Sequence, residues 1–461
     1  MPTTTGLRTE LANELQRALA DHRAGRLEEA EARYQAILAR EPEQPGALHW
    51  LGVIAFQRGQ YQTAVERIER ALTIQPDYAE AHNNLGLALQ AQNSLNEAIA
   101  AFRRALELAP DDAEVHNNLG IALTQSGAIA DAIPVFESAL VLKPDFSEAH
   151  FNRGLNLLHV GRFTEGWREY EWRLKCDEQR QRSGFVDLPQ PRWDGRPFGG
   201  KTLLVHTEQG FGDTIHFARY VPMAKQRGGR VLLACEPVLR RLFETLPGGV
   251  DAFVGDPQTL PDHIDFDMHV PLPSLAGLFD TTVATIPDEV PYLQADISLA
   301  QSWRERTDPD GYNVGIVWAG KGDPNPRRSC TLGDMAALAR TPSVRFYSMQ
   351  KGPAAADIGQ APKGMKIVDC ARELGDFADT AALIANLDLV ISIDTAVAHL
   401  AGALGRPVWT LLSYPSDWRW LVGRDDSPWY PSMKLFRQTQ AGDWGPVIQR
   451  VAAKLESARC R

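Results

Sequence analysis

The sequence H-N-N-L-G decides the fold of the N-terminal part: it stands at His82–Gly86 and again, thirty-four positions later, at His116–Gly120. The same offset relates further small, aromatic and proline residues, namely Ala98 to Ala132, Phe102 to Phe136, Ala105 to Ala139 and Pro110 to Pro144. Within each unit the apolar residues fall three or four apart, which predicts two amphipathic helices. A fixed period of this length predicts a helical array whose units pack on one another.

The period extends in both directions. One step back it meets Leu51, Gly52, Ala64 and Pro76; two steps back it meets the weaker set Ala18, Ala30, Tyr34 and Pro42; one step forward it meets Gly154, Gly166 and Tyr170. This pattern resembles the tetratricopeptide repeat over about residues 10–175. We therefore assign residues 1–178 to a solenoid of about five repeats, which implies a concave surface for a protein or peptide partner.

Asn84, Asn118 and Asn152 are separated by the same period and stand on the first helix of successive units. This spacing predicts a ladder of amides along the inner face of the solenoid. An amide both donates and accepts hydrogen bonds, so such a ladder can bind a peptide backbone. It is similar to the asparagine ladder in the repeats of the O-linked N-acetylglucosamine transferases. The alternative is that these side chains only bond between neighbouring helices.

The composition of the whole chain limits the classes of function. The 461 residues include 48 basic and 58 acidic side chains, which give a net charge of −10. The basic residues form no stripe, which argues against a protein that coats nucleic acid. The five cysteines are scattered and form no C-x-x-C pair, so neither a disulfide framework nor a zinc site is predicted. Neither a signal peptide nor a membrane span is recognisable, and we expect a cytoplasmic location.

Beyond a Pro- and Gly-rich linker at 179–200, short β-rich runs alternate with helical stretches, which predicts parallel sheets covered by helices. We expect a first lobe at 201–305 and a second lobe with a C-terminal helix at 306–461. The predicted strands are T-L-L-V-H (202–206), R-V-L-L-A-C (230–235) and A-F-V (252–254) in the first lobe, and N-V-G-I-V-W (313–318), V-R-F-Y-S-M (344–349), K-I-V-D (366–369), D-L-V-I-S-I (388–393) and P-V-W-T-L-L (407–412) in the second.

Three motifs follow predicted strands and should meet in the cleft between the lobes. They are E-Q-G-F-G-D (Glu208–Asp213), W-A-G-K-G-D-P-N-P-R-R-S (Trp318–Ser329) and S-I-D-T-A-V-A-H-L (Ser392–Leu400). The last precedes a helix, whose start suits a pyrophosphate because its free amides carry about half a positive charge. Lys321, Arg327 and Arg328 supply further positive charge.

In their order, together with Q-K-G at Gln350–Gly352, these motifs resemble the heptosyltransferase-type glycosyltransferases over about residues 200–455. The resemblance implies the GT-B fold of two Rossmann-like lobes. With the repeats, the chain is similar in plan to the O-linked N-acetylglucosamine transferases. Ala396 stands where lipopolysaccharide heptosyltransferases commonly have glycine, so heptose is not implied as the donor sugar.

The resemblance also implies residue roles. Asp213 matches the proposed general base of these enzymes. The implied donor-binding residues are Trp318, Gly320, Lys321, Arg327, Gln350, Lys351, Asp394, Thr395, Ala396 and His399, and the acceptor-side loop is Glu208, Gln209, Gly210 and Gly212. Two alternatives come from the residues themselves: Asp213 as a helix cap and His399 as a packed core histidine.

We expect an inverting glycosyltransferase that needs no metal or other cofactor and takes a nucleotide-diphosphate sugar as donor substrate. Its acceptor would be a protein recruited by the repeats. Two alternatives remain open: a non-catalytic scaffold with a degenerate transferase domain, and a transferase for lipopolysaccharide or another envelope glycan. Asp265 and Asp267 beside a short predicted strand lack the context of a metal site. In S-D-W-R-W (Ser416–Trp420) we expect Asp417 or Trp418 to contact ligand and the other aromatic residues to be structural.

Overall fold

The computed structural model describes residues 4–260, 264–322, 325–341 and 343–459. It contains two compact units, one that ends at Asn156 and one that begins at Leu157. Residues 157–178, which continue the repeat period, therefore belong to the second unit.

Helices make up the repeat region, and the predicted period is confirmed because four first helices begin at the regularly spaced residues Pro45, Ala79, Ala113 and Ser147. The helices are α1 (Thr4–Arg23), α2 (Leu27–Arg40), α3 (Pro45–Gln57), α4 (Tyr61–Ile74), α5 (Ala79–Ala91), α6 (Leu95–Leu108), α7 (Ala113–Gln125), α8 (Ile129–Leu142), α9 (Ser147–His159) and, in the second unit, α10 (Phe163–Tyr170).

The repeated glycines allow close packing of the two helices of a repeat. A Cβ added to Gly86 would lie 2.6 Å from Phe102 Cε1, and one added to Gly120 would lie 2.5 Å from Phe136 Cε1. Both phenylalanine rings are fully buried. The G of H-N-N-L-G is therefore the position at which the first helix meets the aromatic ring of the second.

Replacement of Gly120 by Ala is expected to destabilise the repeat unit by about 1–2 kcal/mol. Alanine gains about 1 kcal/mol of helix propensity, but the methyl group overlaps Phe136, and overpacking costs about 1–3 kcal/mol. Chemical denaturation followed by circular dichroism would measure the change. A coupling energy should appear when Gly120→Ala is combined with Phe136→Leu, which makes room for the methyl group. A more stable single variant would show that the ring moves aside freely.

The second unit contains two parallel sheets. The first has the order β3-β2-β1-β4 and the second β10-β9-β8-β5-β6-β7. All eight strands predicted by segment are present, β4 is the short strand beside Asp267, and β10 is the strand that the sequence did not reveal. The strands are β1 (Thr202–His206), β2 (Arg230–Ala234), β3 (Ala252–Phe253), β4 (Met268–Pro271), β5 (Tyr312–Val317), β6 (Val344–Ser348), β7 (Ile367–Asp369), β8 (Leu389–Ile393), β9 (Val408–Leu412) and β10 (Met433–Arg437).

Helices cover these sheets, as expected for parallel strands. They are α11 (Asp177–Ser183), α12 (Phe211–Phe217), α13 (Val221–Gln226), α14 (Pro237–Phe243), α15 (Leu275–Leu278), α16 (Ile297–Arg304), α17 (Phe377–Ile384), α18 (Ala396–Ala403) and α19 (Gly445–Arg459). Val447, Val451 and Leu455 of α19 pack into the core of the second sheet. The two-lobed α/β architecture of this unit agrees with the predicted GT-B fold. The carboxyl ends of β1 and β8 lead directly to α12 and α18, where the candidate site lies.

Candidate active site

Asp213 lies in the first turn of α12. Its Oδ2 accepts a hydrogen bond from Gly210 N at 3.0 Å, which closes the turn between β1 and the helix. Its Oδ1 forms an ion pair with Arg419, a residue of the second lobe. Asp213 is thus a helix cap, as the alternative interpretation held, but its side chain is also fixed from across the cleft.

The starts of α12 and α18 meet in this cleft. A Cβ added to Gly212 would lie 3.1 Å from His399 Cδ2 and 3.6 Å from Ala396 N, the first amide of α18. A side chain at position 212 would push these two helix starts apart. The structure therefore brings together the two motifs G-F-G-D and D-T-A-V-A-H, which belong to different lobes and lie far apart in the sequence.

The beginning of α18 offers backbone donors. The first helical hydrogen bonds run from Ala398 N and His399 N to Thr395 O, at 3.0 and 3.3 Å. The amides of Ala396 and Val397 precede these bonds, and both residues are partly exposed. The Thr395 hydroxyl lies 2.9 Å from Ser392 Oγ and forms no side-chain cap. Such a helix start carries a partial positive charge.

The S-D-W-R-W loop after β9 contacts both G-F-G-D and D-T-A-V-A-H. The sequence did not reveal these contacts. Arg419 pairs with Asp213, and Trp420 Nε1 donates to Asp394 Oδ2 at 2.9 Å. Trp418 is buried in the core, with 5% of its surface exposed, so it is unsuited to the ligand contact expected for it. Asp417, 38% exposed at its side chain, pairs with Arg419.

Asp394 lies near a second carboxylate. Burial, together with the negative charge of Asp417, raises the pKa of Asp394 to about 6, although the Trp420 hydrogen bond and the guanidinium groups of Arg419 and Arg328 act in the opposite direction. Partial desolvation of the 38% exposed Asp417 side chain would raise its pKa, but the adjacent Arg419 outweighs this effect and lowers that pKa. Of these two carboxyls, Asp394 is therefore the one whose pKa lies closer to neutral pH.

His399 is a packed histidine. It is 4% exposed, its ring stacks on Trp420 with centroids 5.2 Å apart, and its Nδ1 lies 3.0 Å from the Tyr430 hydroxyl. The same hydroxyl lies 3.1 Å from Nδ1 of His216 in α12. Burial and the nearby Arg419 lower the pKa of His399 to about 3, so the ring is neutral. This environment favours the core interpretation of His399 over direct contact with a donor.

Trp318 and Gln350 fix the loops after β5 and β6. Trp318 is fully buried, and its Nε1 donates to Asp357 Oδ2 at 3.1 Å. Gln350 Oε1 accepts from Trp318 N and Ala319 N, while its Nε2 donates to Ala319 O and Lys351 O. Since the amide of Gln350 is fully used, these two residues shape the loops from inside.

The remaining predicted donor residues lie on the loop surface. Lys321 and Arg327 are exposed, whereas Arg328 is partly buried, donates to Lys321 O at 2.8 Å and acts electrostatically on Asp394. Gly320 N donates to Ser329 Oγ at 3.1 Å. Lys351 is exposed, and its ammonium donates to Leu374 O. Arg328 is thus a cation of this loop whose charge acts on Asp394. Residues 323 and 324 of the motif lie outside the described residues.

Glu208 and Gln209 belong to a buried network of the first lobe. Glu208 Oε1 accepts from Arg173 Nε at 2.6 Å, and the two side chains are only 1% and 3% exposed. Gln209 has a left-handed backbone, with φ of 69°, and its Nε2 lies 2.8 Å from Tyr170 OH. Both side chains hold the segment before the first sheet, while Glu208 Oε2 is buried without a hydrogen-bond partner.

In the repeat unit, the ladder asparagines bond to the preceding repeat. Asn118 Nδ2 donates to Asn83 Oδ1 at 3.1 Å, and Asn152 Nδ2 donates to Asn117 Oδ1 at 3.2 Å. Asn84 Nδ2 lies 2.8 Å from His49 Nε2. The amide nitrogens therefore form bonds between neighbouring helices, as the alternative interpretation held. The side-chain carbonyl oxygens of the three ladder residues take no part in those bonds.

Two kinds of site are missing from the described residues. No helix among them is both long and apolar enough to cross a membrane. Within the same ranges, no cluster of three or more His, Cys, Asp or Glu side chains is arranged to hold a metal ion.

Family models match both parts of the chain. Tetratricopeptide repeat models match residues 83–145, 117–170 and 43–111. The model of glycosyltransferase family 9 (heptosyltransferase) matches residues 339–452, which include Asp394, Thr395, His399 and Arg419.

Among curated proteins, FlbA of Caulobacter vibrioides is 31% identical over 322 residues, which cover 64% of this chain and 53% of FlbA. The chain thus spans about half the length of the curated relative that it matches. Similar solved structures include MamA, with 24% identity over 36% of this chain and 96% of MamA and a TM-score of 0.32. PilF of Pseudomonas aeruginosa has 23% identity over 36% of this chain and 75% of PilF, with a TM-score of 0.34. The chain therefore carries tetratricopeptide repeats followed by a domain of glycosyltransferase family 9 (heptosyltransferase).

Proposed function

We propose that this protein is an inverting glycosyltransferase that moves a sugar from a nucleotide-diphosphate sugar to an acceptor hydroxyl. One observation carries the proposal: the starts of α18 and α12 meet in the cleft, so that the first amides of α18 lie close to the turn that holds the Asp213 carboxylate. The match to glycosyltransferase family 9 supports the same reaction class.

The second lobe would bind the donor. Its diphosphate would accept hydrogen bonds from the amides of Ala396 and Val397, where the α18 dipole favours negative charge. Lys321, Arg327 and Arg328 would add positive charge from the loop after β5. These groups stabilise the charge that develops on the departing nucleotide diphosphate, and the proposed reaction therefore uses no metal.

The first lobe would bind the acceptor. A lone pair of the acceptor oxygen forms the new bond to the anomeric carbon, and the bond from that carbon to the diphosphate oxygen breaks, with its electron pair remaining on the nucleotide diphosphate. Asp213 takes the proton of the acceptor hydroxyl. Because attack and departure occur on opposite faces of the sugar, the anomeric configuration inverts.

Release of nucleotide diphosphate tests the proposal. The full chain would be incubated with a panel of nucleotide-diphosphate sugars, and nucleotide diphosphate would be measured with and without candidate acceptor proteins. We expect slow hydrolysis of one donor in the absence of acceptor and faster release when the acceptor is present. A panel without binding or release would favour the non-catalytic scaffold.

The repeats would recruit the acceptor, which we propose to be a protein. The side-chain carbonyls of Asn84, Asn118 and Asn152 belong to partly exposed residues and could accept hydrogen bonds from a peptide backbone. A deletion strain separates the possibilities: loss of sugar from one protein supports this acceptor, whereas a truncated lipopolysaccharide supports an envelope-glycan transferase.

A pH effect on nucleotide binding is expected from Asp394. With its pKa at about 6, this carboxyl is ionised at higher pH, where it repels a bound diphosphate, and protonated at lower pH. We expect the affinity for nucleoside diphosphate to increase roughly threefold to tenfold between about pH 7.5 and pH 5. Isothermal titration calorimetry would measure it, and Asp394→Asn should flatten the dependence. An equally steep dependence in that variant would assign it to another group.

A further inference from the structure

Arg419 is a buried cation between two carboxylates from different lobes. Its side chain is 7% exposed and forms an ion pair with Asp213 through Nη2. Nη1 donates to Asp417 Oδ1 at 2.8 Å. Despite burial, which acts in the opposite direction, the Asp417 and Asp213 carboxylates raise the pKa of Arg419, so the group stays charged.

The loop around Arg419 is built to hold the guanidinium in place. Asp417 accepts a second hydrogen bond, from Arg419 N at 3.0 Å, and thereby caps the short helical turn Trp418–Trp420. The guanidinium carbon lies 4.3 Å from the centroid of Trp418 and 5.6 Å from that of Phe217. Aromatic faces favour a cation in such positions, so both backbone and side chain of Arg419 have fixed neighbours.

The same turn holds the donor side of the cleft. Trp420 donates to Asp394 and stacks on His399, the two charged or polar side chains at either end of D-T-A-V-A-H. One turn of three residues thus orients Asp213 on the first lobe and Asp394 on the second.

We propose that Arg419 is a positioning residue for the transfer step, which rests on the proposed function. Arg419 fixes Asp213 Oδ1, and Gly210 N fixes Asp213 Oδ2, so the remaining lone pairs of the carboxylate have a set direction in the cleft. The acceptor hydroxyl would approach along this direction and transfer its proton to Asp213.

Asp417 makes this arrangement stable through the reaction. When Asp213 takes up the acceptor proton, its charge changes from −1 to 0 and the ion pair with Arg419 becomes a hydrogen bond to a neutral group. Arg419 retains the Asp417 carboxylate as its counter-charge. The guanidinium therefore remains compensated, and no side chain has to move during the proton transfer.

The test uses the full chain with the donor that gives nucleotide diphosphate release, and compares Arg419→Gln, Arg419→Lys and Arg424→Gln. Arg424 is the matched control because it is an arginine of the same region whose pair with Asp426 lies at the surface. For each variant, kcat, the KM for the donor and the thermal midpoint are measured. Added guanidinium chloride at low concentration tests for rescue of Arg419→Gln.

We expect Arg419→Gln to lower kcat about 10- to 100-fold, the value of a charge-assisted hydrogen bond, with the donor KM within about threefold. Arg419→Lys should restore part of kcat, and Arg424→Gln should change nothing. If kcat is retained in Arg419→Gln, or falls only in proportion to folded protein with lysine no better than glutamine, Arg419 is a structural tie and the proposal is overturned. A wild-type chain inactive on every donor would overturn the proposed function, and this proposal with it.

Discussion

Asp213→Asn is expected to lower kcat by about 10²–10⁴-fold, the usual contribution of a general base, while nucleotide binding stays within about twofold. Asparagine has the same shape but cannot take the acceptor proton. Nucleotide binding should persist because the proposed phosphate donors lie on α18 and the loop after β5, outside the first lobe. Donor turnover with a saturating acceptor and calorimetric titration of nucleotide diphosphate would measure the two effects.

Asp379→Asn is a matched control for this experiment. Asp379 occupies the third position of α17 and accepts hydrogen bonds from Gly375 N and Asp376 N, as Asp213 accepts from Gly210 N in α12. It has the same capping role without a place at the start of α18. Equal losses of thermal stability but unequal losses of kcat would isolate chemistry from capping. Undiminished turnover of Asp213→Asn would leave Asp213 as a helix cap only.

Arg173→Met is expected to lower the free energy of unfolding of the second unit by about 3–5 kcal/mol. The variant leaves Glu208 without its cation in a site where only 1% of its side chain is exposed. It also removes the donors to Glu171 Oε1 and to Ser274 Oγ, both at 2.7 Å. The loss arises from the desolvated charge left behind rather than from the value of the pair itself. Chemical denaturation monitored by tryptophan fluorescence would measure it.

A second substitution checks the cause. Addition of Glu208→Gln to Arg173→Met should recover part of the stability, because the buried group is then neutral. Arg240→Met serves as the control, since Arg240 pairs with Glu244 at the surface, with 60% and 52% of the side chains exposed. This variant should have little effect. If both arginine variants are equally stable, water reaches Glu208 when Arg173 is absent.

The sequence predicted those parts of the molecule that depend on neighbouring residues. Eight strands, the repeat period and the helix starts after β1 and β8 followed from local patterns of apolar residues, glycines and caps. The strand β10 was missed because M-K-L-F-R has only a weak alternation and lies after a loop rich in aromatic residues. Its place at the sheet edge comes from pairing with β9.

The partners of buried charges could not be predicted in the same way. Arg173 lies within residues 1–178, which the sequence assigns to the repeats, and nothing in its neighbourhood points to Glu208 35 residues later. Arg419 and Asp213 are 206 residues apart. The position of Arg419 after β9, at the carboxyl edge of the sheet, is the signal in the sequence that could have pointed to a role in the site. Ion pairs across a cleft depend on tertiary folding, so no regular spacing in the sequence reveals which two residues will pair.

The Tyr430 hydroxyl has a consequence for the protonation of the histidines beside it. It carries a single hydrogen, yet it lies within hydrogen-bond distance of Nδ1 in both His216 and His399. One ring must therefore accept at Nδ1 while the other donates, so the two imidazoles take opposite tautomers. With Nε2 of His399 at 3.8 Å from Asp394 Oδ1, the hydrogen of His399 is best placed on Nε2 and that of His216 on Nδ1. The tautomeric state of a ring in one lobe thus dictates that of a ring in the other.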